Sequence, residues 1–143
     1  MLSDIIEISS GFQSSVNIAY DLKNDDKIKG FIPTTSSLEL ISNIIVSAKP
    51  DSTHRAKILT GAYGRGKSHI ILVALSILYR QNKKNVYDNL LNRMKAYDED
   101  LYKFANNFLK TNTKLLPVII SGSSSSLTQS FMNALQQALN SNN

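Results

Sequence analysis

The chain contains no cysteine, which excludes disulfides and thiolate metal sites. No uninterrupted apolar stretch approaches the roughly 20 residues that a helix needs to span a bilayer, so membrane partners are not expected. The first ten residues, MLSDIIEISS, carry acids before any apolar run and no basic stretch, unlike a secretory signal, and the cytoplasm is the default compartment. Aromatic residues amount to 8% and are not interleaved with basic ones in the manner of single-strand nucleic-acid binders. No Asp or Glu follows Lys114, an absence that bears on catalysis below.

What is present fits one ordinary domain. A chain of 143 residues can bury a core of its own but has little length for a second. Its formal charge of +5 is uneven: residues 1–50 hold four lysines against six acids, and the remainder carries the positive excess. Such an asymmetry permits contact with polyphosphate or nucleic acid. Arg80, Lys83 and Lys84 read more simply as the basic C-terminal end of a helix, where cations complement the dipole.

Hydrophobic periodicity divides the chain further. SVNIAYDL at 15–22 alternates Val16, Ile18 and Tyr20 with polar or small residues and predicts a strand, with KNDD as a turn and a second short strand at 27–32. Ser36 and Glu39 have capping-box spacing, and Leu38, Ile41, Ile45 and Ala48 predict a helix over about 37–47. RAKILT at 55–60 reads as a strand, Ile70 to Leu78 as the helix that follows it, and LLPVIIS at 115–121 as a strand buried on both faces. Between them, Val86, Leu90, Met94, Tyr97, Leu101, Phe104 and Phe108 step by three or four, predicting two amphipathic helices that meet near 96–98. This pair is expected to be an insertion, at about 85–111. After the serine run at 121–126, Ser126 and Gln129 have capping-box spacing ahead of a final helix. His54, with no second His nearby, reads as a solvated loop residue.

One window carries chemistry. Gly61, Ala62, Tyr63, Gly64, Arg65, Gly66, Lys67 and Ser68 satisfy G-x-x-x-x-G-K-[ST] in full. The glycines let successive backbone N–H groups turn toward a phosphate, and the dipole of the following helix adds attraction. Lys67 is spaced to reach β- and γ-phosphates, and the Ser68 hydroxyl to ligate Mg²⁺. Tyr63, Arg65 and His69 occupy variable positions, where a loop or helix-face role is the simpler account. Hydrolysis needs more: an acid at the end of a later apolar strand to hold Mg²⁺, and commonly a Glu to orient water. The later strand candidate ends in Gly and Ser. Asp98, Glu99 and Asp100 suit a helix start better than a metal site.

Four stretches, SVNIAYDL at 15–22, FIPTTSSLELI at 31–41, ILTGAYGRGKSHIILVAL at 58–75 and LPVIISGSSSSLTQSFMNALQQAL at 116–139, resemble the N-terminal part of large bacterial P-loop ATPases of phage-defence loci, the BrxC and PglY type of BREX systems. The resemblance implies an ATP-binding, Mg²⁺-dependent protein of the additional-strand class, related to AAA+ and initiator-type ATPases. It places Phe31 to Thr35 near the adenine, and the missing acid and sensor residues further along a longer protein. It also leaves DNA, defence-complex proteins and an oligomer open as partners. The expected architecture is thus α/β: an incomplete P-loop core with a parallel sheet and flanking helices over residues 51–143, preceded by a strand pair and helix over 1–50. The expected function is ATP binding as part of a larger ATPase. The alternatives are a small P-loop kinase, with the 86–108 helices as its lid, and a non-catalytic nucleotide-sensing interaction protein.

Overall fold

The computed structural model describes residues 15–111, 114–122 and 126–142; the N-terminal decapeptide and Ser123 to Ser125 of the serine run lie outside them. The described residues form seven α-helices in order: α1 Ile18–Asp21, α2 Asp25–Lys29, α3 Thr35–Ser47, α4 Lys67–Tyr79, α5 Asp88–Tyr97, α6 Glu99–Lys110 and α7 Leu127–Asn140, with a 3-10 turn at Lys84–Tyr87 ahead of α5. There is no strand and no sheet among the described residues. The parallel-sheet α/β architecture expected from the sequence is therefore corrected to an all-helical one.

The four expected strands fail for two physical reasons. At 15–22 and 27–32, short polar side chains claim the backbone first. Asn17 Oδ1 accepts from the Ala19 N–H, and Asn24 Oδ1 from the N–H groups of Asp26 and Lys27. These local bonds start α1 and α2 and outcompete the alternating apolar pattern. The segments at 55–60 and 114–121 remain without helix, but neither finds a ladder partner among the described residues. Ile58 is 91% exposed, and the one described backbone bond joining 114–121 to the rest runs from Leu115 N–H to the Leu78 carbonyl, at 3.0 Å. Strand character is a property of pairs, and the apolar composition of these segments supplied no pair.

The longer helices form where periodicity and caps agree. α3 buries Leu38, Ile41 and Ile45 on one face. Its capping box is Thr34 with Ser37, two residues before the expected pair: Thr34 N–H donates to Ser37 Oγ at 2.8 Å, and Ser37 N–H to Thr34 Oγ1 at 3.3 Å. α5 and α6 meet where the apolar steps predicted, and Asp98 caps α6 by accepting from the N–H groups of Asp100 and Leu101. Ser126 caps α7 by accepting from Gln129 N–H.

α4 is the central element. Its apolar residues point to all sides, and Ile70, Leu72, Val73, Ala74, Ile77 and Leu78 are all buried, the pattern of a helix wrapped by others. One face joins α3, α5 and α6 through a cluster that includes Ile41, Ile45, Ile77, Met94 and Ala105. The opposite face meets Leu22, with Val16 and Ile119 alongside. Arg80 ends the helix in the left-handed region, at φ 54°, and its guanidinium donates to the carbonyls of Phe108, Leu109 and Thr111. The end of α4 is thereby tied to the end of α6, and its start is left to the glycine loop.

Candidate functional site

Gly61 to Gly66 form the loop that leads into α4, whose first two residues are Lys67 and Ser68. Gly64 and Gly66 adopt φ 75° and 76°, a region that costs an L-residue roughly 1–2 kcal/mol; glycine enters it freely. The Gly66 carbonyl accepts the first helical bond, from Ile70 N–H at 3.0 Å, so the N–H groups of Lys67, Ser68 and His69 precede the ladder. No side chain among the described residues caps them. By contrast α1, α2, α3, α6 and α7 each start on a side-chain oxygen that accepts backbone N–H, and α5 continues out of the 3-10 turn.

Lys67 folds back over this loop. Its ammonium donates to the carbonyls of Gly61, at 2.8 Å, and Ala62, at 2.7 Å. Ser68 is exposed, and no described residue bonds its hydroxyl. Tyr63 stands fully in solvent, at 102% exposure. A cavity of about 400 Å³ adjoins the loop, within the usual size range of small-ligand pockets. Phe31, Ile32, Leu40 and Ile70 supply its apolar wall, and Lys27, Thr34, Ser36, Arg65, Gly66 and His69 its polar side. No carboxylate is among its described lining residues, and Lys27 and Arg65 bring positive charge to it.

α2, the turn after it, α3 and the first turn of α4 build this cavity. Arg65 and Gly66 of the sequence motif take part in it, as do Phe31, Ile32 and Thr34 from the stretch that the resemblance places near adenine. His69 also lines it, although its variable position beside the motif predicts only a loop or helix-face role. Its Nε2 is 2.6 Å from the Lys27 carbonyl oxygen, and its ring meets Phe31 edge-on with centroids 5.0 Å apart. The sequence signal for His69 was its place at the third position of the helix, where a side chain can turn back toward the preceding loop. Its partners lie about forty residues away and are not legible from the sequence.

The carboxylates of the α6 start lie elsewhere in function: Asp98 is the cap, and Glu99 and Asp100 pair with Lys103 at 3.3 and 3.8 Å. No group of three His, Asp or Glu side chains able to hold a metal occurs among the described residues. No protein-family model matches the chain, nor does any curated protein or solved structure.

Proposed function

We propose that the chain binds a magnesium nucleoside triphosphate, ATP in the first place, with its phosphates on Gly61 to Ser68 and its nucleoside in the adjoining cavity. The observation that carries this reading is the uncapped start of α4 opening beside a cavity with an apolar wall and cationic side chains. Free N–H groups and the helix dipole attract an anion there. Lys67 supplies a full charge, held for now by two neutral carbonyls; a phosphate oxygen is the stronger partner for an ammonium. The exposed Ser68 hydroxyl suits a metal that takes one protein oxygen and draws its other ligands from phosphate and water. Such a metal would neutralise phosphate charge.

The choice of ATP, and of DNA or defence-complex proteins as partners, comes from the resemblance to phage-defence ATPases. The function proposed stops at binding, because no described carboxylate lines the cavity to serve a hydrolytic step. A kinase reading asks residues 86–108 to act as a lid, but Leu90, Met94, Leu101 and Ala105 of those helices are buried in the main core.

A fluorescent ATP analogue tests the reading. Saturable binding that unlabelled ATP displaces and that weakens when Mg²⁺ is chelated is expected. Absence of saturable binding up to about 1 mM, where association is worth only ~4 kcal/mol, would remove it.

A further inference from the structure

His69 joins two parts of the proposed nucleotide site that the chain brings together from 42 residues apart. It stands two positions after Lys67, within the first turn of α4, yet its contacts are with α2 and the turn that follows. A carbonyl oxygen can only accept, so the 2.6 Å approach of Nε2 to the Lys27 oxygen requires the hydrogen on Nε2. In the neutral imidazole the other nitrogen, Nδ1, is then an acceptor, and no described residue donates to it. The ring is also fixed from the side: Phe31 meets it at an interplanar angle of 71° and a centroid distance of 5.0 Å, an edge-to-face arrangement of the favoured kind. Phe31 itself is buried, at 7% exposure, as part of the main core cluster.

We propose that His69 is a nucleoside-positioning residue, which makes the site selective for a nucleoside polyphosphate over a bare polyphosphate. This rests on the reading that Gly61 to Ser68 hold phosphate. The bond to Lys27 and the edge contact with Phe31 hold the cavity wall at one spacing from the phosphate loop. The phosphates of a bound nucleotide and its nucleoside then meet preformed halves of one site, and the ordering cost of binding falls. The Nδ1 lone pair adds an acceptor for a hydroxyl or amine donor on the nucleoside. A bare polyphosphate fills the loop without reaching the cavity and gains nothing from either contribution.

The test compares ATP with inorganic tripolyphosphate, both with Mg²⁺, by calorimetry on the whole chain. For His69→Ala, ATP affinity falls about tenfold, equivalent to ~1.4 kcal/mol, while tripolyphosphate affinity stays within about twofold. His69→Gln keeps an N–H that can meet the Lys27 carbonyl and recovers the larger part of the ATP loss. Equal loss for both ligands, or undiminished ATP binding by His69→Ala, would overturn the inference and leave the nucleotide reading standing. Wild-type protein that binds neither ligand would remove the nucleotide reading, and this inference with it. Should His69→Ala fail to fold, the split between the two ligands is read on His69→Gln and His69→Phe. His69→Phe keeps an aromatic edge beside Phe31 but has no nitrogen, and is expected to lose ATP affinity selectively.

Discussion

The ammonium of Lys67 lies 2.8 Å from the carbonyl oxygen of Gly61, six residues earlier, and closes the glycine loop upon itself. With the Ala62 carbonyl at 2.7 Å as second acceptor, one side chain of α4 spans the loop and restrains the backbone whose N–H groups meet the ligand in the proposed site.

Gly66→Ala tests the backbone requirement. A Cβ at this position would meet no atom within 4 Å, so the cost is conformational, about 1–2 kcal/mol for an L-residue in the left-handed region. Chemical denaturation is expected to register a loss of that order, and ATP affinity to fall with it as the loop changes shape. Tyr63→Ala in the same loop, at a fully exposed side chain, is expected to leave stability within about 0.5 kcal/mol. Equal stability of Gly66→Ala and wild type would contradict the positive φ.

Tyr87 gives the fold an alkaline limit. Its hydroxyl donates to the Ser76 carbonyl at 2.9 Å, and burial pushes its pKa up from 10.0 to about 12. Below pH 10 the phenol is protonated whether the chain is folded or not, and its stabilising contribution is complete. As pH rises from about 10 to about 12, the unfolded chain loses the proton that the folded one keeps, and stability falls. Two pKa units amount to about 2–3 kcal/mol at about 1.4 kcal/mol each. Tyr87→Phe is expected to lack this component of the alkaline decline in denaturant titrations. Its cost at neutral pH is about 1 kcal/mol, since the Ser76 carbonyl keeps the Arg80 N–H as a partner. Identical alkaline profiles for the two proteins would contradict the burial of the phenol.

Met94 tests whether α5 and α6 belong to the core. Its side chain is 0% exposed and shares a cluster with Ile41, Ile45 and Ile77, so Met94→Ala should cost about 2–5 kcal/mol in a single cooperative unfolding transition. A separate early transition, with the rest of the chain unaffected, would show the two helices folding apart from it.

Helices were legible where apolar steps of three or four coincided with a capping residue, as at Asp98 and Ser126; for α3 the steps predicted the helix, but its cap is Thr34 and not Ser36. The apolar steps run unbroken from Val86 to Phe108, and the meeting point expected near 96–98 lies where α5 ends at Tyr97 and Asp98 caps α6. Sheet structure was misread because Ile58 and Val118 to Ile120 have strand composition, whereas a ladder requires a second extended segment alongside, which local sequence cannot supply. At 15–22 the apolar alternation was real, but Asn17 redirected the backbone through a bond to Ala19 N–H, and Asn24 did the same for the next segment through bonds to Asp26 and Lys27 N–H. The phosphate-loop motif was visible because it is contiguous. The cavity beside it was not, since Lys27, Phe31 and His69 meet only after α2, α3 and α4 have packed.

Titration calorimetry of Mg²⁺–ATP into wild type and Lys67→Ala tests the central claim most directly. The Lys67 bonds lie in an exposed loop, so the variant should unfold at nearly the wild-type denaturant concentration. Its ATP affinity is expected to fall by at least about tenfold, or ~1.4 kcal/mol. Equal ATP affinity in the two proteins would contradict phosphate binding at Gly61 to Ser68.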